Sequence, residues 1–283
     1  MYIAPRKDAE QKARFLSEQL IIAGFHRSGT SATAQLLHRA GLFLGYELLE
    51  PLPSNPYGHF EDREVVNLHQ EILADNDRTW LVGEPLMPVV SDARWSRARG
   101  MIERRNAEHA LWGFKDPRAC LFLMVWKYLM PGMKVLLVYR HFSESTHSLG
   151  RRHSSDLFLG MGNRQIHERF WADPDLALRM WIEHNRILLA FARAYPDDTI
   201  AVSMDMIRDG FPLLRALEDR WSFGLEDVPI GEVYDPRIAA QRTLKQPVSN
   251  PAVARKADGV WAELETLGRE TEAMLAGGKR ALA

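Results

Sequence analysis

Four short apolar runs stand out along the chain, at residues 20–25, 112–114, 134–139 and 199–204. Each has a mainly apolar centre and is too short for a helix, the pattern of a strand covered on both faces. Helix-period stretches separate them. One covers 31–40 and stops at Gly41, a C-cap residue. A second covers 62–74, with Val65, Leu68, His69, Ile72 and Leu73 on one stripe. A third covers 121–130, a fourth starts near 143, and the longest runs from about 175 to 195 and stops at Pro196. A helix-period pattern at 260, 261, 264, 267, 271 and 274 predicts a terminal helix over 256–275 that packs on the body. Alternating strands and helices predict an α/β fold, a central parallel β-sheet flanked by helices.

Stretches with Gly or Pro and no clear period lie at 51–60, 76–92, 151–173 and 224–250. Ligands of open α/β sheets sit beyond the carboxyl ends of the strands, and long loops there are candidate site walls. No Gly/Ser/Pro-rich linker divides the chain, so residues 1–283 read as one domain, with a core over 20–225 and a C-terminal loop and helix over 226–283.

Composition narrows the function classes. The net charge is −1, which gives no bulk attraction to nucleic acid or membrane. No apolar run is long enough to span a bilayer. The N-terminus, "MYIAPRKDAEQKARF", has no signal core, and with the lone Cys120 the expectation is a cytoplasmic protein without disulfides. Among ten histidines no HExxH-type spacing occurs, so no metal is expected.

The stretch "GFHRSGTS" at 24–31 follows the first strand and opens a helix. Gly24 and Gly29 have the G-x-x-x-x-G spacing of a loop whose amides and helix N-terminus cradle an anion, a nucleotide-binding P-loop type of fold. A triphosphatase would place Lys after the second glycine. Here Thr30 and Ser31 follow, and the basic residue is Arg27 inside the loop. The strand 134–139 runs into Arg140, where a magnesium-binding acid would otherwise stand. The pattern fits a phosphate-bearing ligand held without a Lys–Mg²⁺ clamp.

"FHRSGTS" resembles the 5′-phosphosulfate loop of sulfotransferases that use 3′-phosphoadenylyl sulfate. A second signature of that family is an Arg ending a strand with a Ser eight residues on, and "RHFSESTHS" supplies Arg140 and Ser148. "NPYGHFEDREVV" at 55–66, "WGFKDPR" at 112–118 and "DMIRDGFPLLRALEDRWSFGL" are similar to stretches of its bacterial members. The resemblance implies transfer of a sulfuryl group from that donor, without a metal, to a hydroxyl or amine of a small-molecule acceptor. It assigns the donor to Arg27, Ser28, Gly29, Thr30, Ser31, Arg140 and Ser148. "YDPRIAAQRTLKQP", with Arg237 or Arg242, is placed over the adenine.

Proton removal from the acceptor needs a carboxylate or imidazole. Glu61 is the first choice, with Asp62, which also suits a helix N-cap, and His59 as rivals. Lys115 either contacts the transferring group or fixes the loop, and Arg118 pairs with Asp116 or the donor. Trp181 reads as core, with His184 and Asn185 as possible supports. Trp80, Phe158 and Trp171 are candidates for an acceptor pocket. A small-molecule kinase and a non-catalytic nucleotide-binding module are the alternatives.

Overall fold

The computed structural model describes residues 17–50, 58–233, 248 and 250–280, with side chains as far as 275. Arg237 and Arg242 lie outside the described residues. Strand β1 (Glu18–Ala23) leads through the 24–29 loop into α1 (Thr30–Arg39). Then come α2 (Arg63–Asp75), α3 (Asp92–Glu108) and β2 (Leu111–Lys115). A tight turn at Pro117–Phe122 runs into α4 (Leu123–Leu129), followed by β3 (Lys134–Tyr139), α5 (Phe142–Phe158), α6 (Arg164–Ala172) and α7 (Leu176–Ala194). Strand β4 (Thr199–Ser203), α8 (Met204–Arg208), α9 (Leu213–Trp221) and α10 (Pro251–Arg280) complete the order.

All four strands are parallel, in the order β2-β1-β3-β4. Successive side chains of a strand face opposite ways, and the apolar runs fill both sides. Ile21, Phe114, Val135, Leu137 and Ala201 pack under α2, α3, α4, α5, α7 and α10. Leu20, Ile22, Leu136, Val138, Ile200 and Val202 pack under α1, α8 and α9. Both faces are dry, which is why the runs do not alternate with polar residues. The open edge of β4 is covered by α10, where Thr271 Oγ1 accepts from the Ala201 amide at 3.3 Å. No helix among the described residues is long and apolar enough to cross a membrane.

From β1 the chain crosses to β2 on one side, and from β3 it crosses to β4 on the other. The connections therefore diverge above the carboxyl ends of β1 and β3 and leave a crevice there. Into it project the 24–31 loop and Arg140.

One expectation is corrected, that for 151–173; α3 was not anticipated, and 76–92 is a loop as expected. Helix α3 has only a sparse apolar stripe, with Ala98, Met101 and Ile102 buried among charged residues, and its period did not stand out. The stretch 151–173 is largely helical rather than loop, because α5 continues to Phe158 and Asn163 caps α6 by accepting from the Ile166 amide. The loop 76–92 is pinned by Asn76, which exchanges two 2.8 Å hydrogen bonds with the Val89 backbone.

Helices α2 and α3 are joined by a buried ion pair. Asp62 is the N-cap of α2, accepts from the Glu64 amide at 3.2 Å, and also takes the fully buried guanidinium of Arg105. Arg105 lies over Trp112 at 5.2 Å from the ring centre. Loss of a cap alone costs about 1 kcal/mol. Removing one partner of a buried pair strands the other charge, so Asp62→Ala is expected to destabilise the chain by about 3–5 kcal/mol in urea unfolding. A loss near 1 kcal/mol would mean that Asp62 acts as a cap only.

Candidate functional site

Backbone constraints set the loop. A Cβ on Gly24 would stand 2.2 Å from the Val138 carbonyl oxygen, so only glycine lets the end of β1 pass this close to β3. Gly29 has φ +89° and faces Met204, whose sulfur would lie 2.1 Å from an added Cβ. Arg27 is left-handed too, at φ +65°, an unusual state for a residue with a side chain. The Ser28 amide closes a turn on the Phe25 carbonyl at 3.2 Å, and Ser28 and Thr30 are buried. No acidic side chain lies in the first turn of α1, so its N-terminus keeps its preference for an anion.

The two sequence signatures meet in space. Arg27 Nε donates to Ser148 Oγ at 2.9 Å, across 121 residues. Ser28 Oγ and Ser145 Oγ stand 3.5 Å apart one turn earlier on α5. Arg140 Nη1 reaches the Arg27 carbonyl at 3.5 Å, while its Nε donates to Glu144 at 2.5 Å. Burial, together with Arg152, Arg140 and Arg151 nearby, pushes Arg27 down to about 10. It stays charged at neutral pH within a concentrated positive field that an anion would relieve.

A second group lies beside the helix start. Lys115 Nζ, 2% exposed, donates to Ser31 Oγ and the His59 carbonyl at 3.1 Å and to Glu61 Oε1 at 2.7 Å. Arg118 Nη2 reaches Glu61 Oε2 at 3.3 Å, and its Nε donates to Asp116 at 2.8 Å. Asp116 also takes a 2.7 Å contact from His69 Nδ1. Trp126 Nε1, which can only donate, bonds His69 Nε2 at 2.9 Å, so the His69 proton sits on Nδ1 and points at Asp116. Burial lowers His69 and keeps it neutral. Burial alone would raise the Asp116 carboxyl, but Arg118 and His69 outweigh it and hold it far below the ordinary range.

Of the three base candidates, Glu61 and His59 face this group, with His59 Nδ1 3.9 Å from Glu61 Oε1. Burial pushes His59 down to about 4, so its ring is neutral. Asp62 is turned away to Arg105 and serves the fold.

Sequence reasoning named Trp80 and His184 but missed His26, which joins them in an imidazole and aromatic wall of the crevice. His26 lies 4.7 Å from Trp80 and 6.1 Å from His184, ring centre to ring centre. His184 Nδ1 bonds the Met180 carbonyl at 2.8 Å, Asn185 holds the Trp181 carbonyl at 2.8 Å, and Trp181 is core with its indole on the Arg140 carbonyl. Burial lowers both His26 and His184, the latter to about 4, so the wall is uncharged. Trp80 joins it. Phe158 and Trp171 face solvent, 90% and 65% exposed, and line nothing among the described residues. The "HR" pair before Ser28 was the available signal for His26. A separate cavity of about 400 Å³ lies by Tyr46, Glu47, Asp62, Glu64, Arg104 and Glu108. Its four carboxylates suit no phosphate.

With this geometry in hand, the chain is similar in fold to a solved structure, the sulfotransferase STF1 of Mycobacterium tuberculosis H37Rv. Identity is 16%, the TM-score is 0.44, and the match covers 89% of this chain and 79% of that one. Such a similarity says nothing of activity. No family model and no curated protein matches the sequence.

Asp116 makes stability depend on acid. A depressed carboxylate contributes stability that is complete above its unfolded value, about 3.9, and is lost as pH falls below it. Asp116→Asn is expected to be less stable at pH 7 and to lose less on acidification from pH 4 to pH 2. The difference in slope should reach about 1.4 kcal/mol per pH unit in urea midpoints. Parallel slopes would place the acid sensitivity elsewhere.

Proposed function

We propose that the chain is a sulfotransferase that moves a sulfuryl group from 3′-phosphoadenylyl sulfate to a hydroxyl or amine of a small molecule. One observation carries this reading: the hydrogen bond of Arg27 to Ser148, which unites the 24–31 loop with the Arg140–Ser148 segment at the β1/β3 crevice. The loop amides, Arg27 and the hydroxyls of Ser28, Thr30 and Ser31 receive the 5′-phosphosulfate. Arg140 and Ser148 receive the 3′-phosphate, with Arg140 turning from Glu144 to do so.

Transfer through a loose transition state asks for alignment and for stabilisation of charge on the leaving bisphosphate. Arg27 and Lys115 supply positive charge on either side of the start of α1. Lys115 bonds Ser31 and Glu61 together, so it links the donor loop to the proton acceptor. Glu61 takes the acceptor's proton as the oxygen or nitrogen attacks sulfur. No protein-bound metal is required by these steps.

Adenosine 3′,5′-bisphosphate is expected to bind far better than 5′-AMP in chelator-treated protein, measured by calorimetry. Arg140→Ala should remove about one to two decades of that preference, the worth of a charge-assisted contact of ~1.5–3 kcal/mol, and Ser148→Ala less. Equal affinity for the two nucleotides would sink the assignment. ATP turnover that depends on Mg²⁺ would favour a kinase, and tight bisphosphate binding with no transfer to a panel of acceptors a binding module.

Glu61→Gln keeps the shape and a hydrogen bond to Lys115 but loses basicity. Turnover of an alkyl alcohol should fall by ~10²–10⁴ while bisphosphate binding persists. An acidic phenol needs less help and should recover part of the loss. Near-normal alcohol turnover by Glu61→Gln, with His59→Ala inactive, would move the role to His59.

A further inference from the structure

The stretch 151–173 was expected to be a loop, and its helical packing brings three donors together. His153 and Asp156 lie on one face of α5, three residues apart. His167 reaches them from α6. One donor atom from each lies within 4.8 Å of the other two. Both imidazoles are buried, and the carboxylate is partly exposed.

The orientation of His167 is fixed from behind. Its Nε2 stands 2.8 Å from the Met161 carbonyl, which can only accept, so the proton is on Nε2 and the lone pair on Nδ1. A ligating imidazole in proteins is commonly held this way, by a hydrogen bond from its other nitrogen. His167 Nδ1 points at His153 Nδ1, 2.7 Å away. His153 is clamped between rings, stacked on Phe170 at 4.2 Å and on Trp80 at 5.6 Å. Its own Nε2 is buried with no hydrogen-bond partner among the described residues. Because His167 Nδ1 accepts, the proton of this contact is carried by His153 Nδ1.

We propose that His153, Asp156 and His167 form a binding site for a zinc-class divalent transition ion that staples α5 to α6. Two nitrogens and one carboxylate oxygen suit zinc and its first-row neighbours, whereas Mg²⁺ and Ca²⁺ take all-oxygen sets. Three protein donors leave a fourth position for water. In the metal-free chain one proton lies between the two Nδ1 atoms. The ion takes its place, and that proton moves to His153 Nε2, so both rings stay neutral. Ligand nitrogens on a tetrahedral ion with bonds of ~2.0–2.1 Å stand about 3.3 Å apart, so the rings need to part by well under 1 Å. Asp156 has a 3.5 Å contact with Arg152, a long pair that the ion would replace. The site uses none of the residues assigned to the donor, which separates it from the proposed activity.

The test uses the full chain stripped with chelator. Co²⁺ titration should produce the intense visible absorption of a tetrahedral site at one equivalent, displaced by Zn²⁺, and Zn²⁺ should raise the melting temperature. His167→Ala should abolish the band. Asp156→Asn, a change at a partly exposed position that leaves the packing intact, should weaken Co²⁺ binding by at least about 10-fold. Absence of both the band and the melting shift in the wild-type chain would overturn the site and leave a hydrogen-bonded histidine pair. So would Co²⁺ affinity unchanged in folded Asp156→Asn. Bisphosphate binding by the same stripped protein reads the donor site independently.

Discussion

Lys115 is the point to which the rest of the site is tied. It ends β2, lies almost wholly out of solvent, and bonds the first turn of α1, the His59 backbone and Glu61 at once. A lone buried ammonium would cost several kcal/mol in desolvation. It is tolerated because charge alternates away from it, from Lys115 to Glu61, Arg118 and Asp116, and ends on the neutral His69 and Trp126. The group sums to zero charge and runs from the crevice floor into the core. Any movement of the segment 58–62 relative to the 24–31 loop has to break it.

The sheet was readable in the chain because burial on both faces leaves a mark, a short apolar run that does not alternate with polar residues. The turn at 24–29 was readable for a similar reason: its requirements are local, with two glycines at fixed spacing between a strand and a helix. Arg140 and Ser148 were singled out by the resemblance to a family signature, and the structure brings both against Arg27. What was not readable depends on which elements become neighbours. Glu61 and Lys115 are 54 residues apart, and nothing in either segment says that they pair. Asp62 had a visible role as a cap, but its larger role, receiving Arg105, depends on α3, whose sparse apolar stripe hid the helix. His26 was passed over because the loop directed attention to Arg27.

The 151–173 stretch illustrates a different failure. Its glycines and polar residues look like a loop, yet only the joint at 159–163 is one. Two amphipathic helices meet there, and their packing turns three unremarkable side chains into neighbours. Periodicity detects a helix by its buried stripe. When that stripe is built from His153, His167 and Phe170 instead of aliphatic residues, a search for apolar positions misses it.

Arg27 holds a left-handed backbone although it is not glycine. That conformation costs of order 1–2 kcal/mol, and the fold sustains it through the turn to Phe25 and the bond to Ser148. The loop therefore has its curvature before any ligand arrives. The proposed donor would spend none of its interaction energy on shaping the backbone. The strain is borne permanently as lost stability, and under the proposed function the return is a smaller entropic penalty at each binding event.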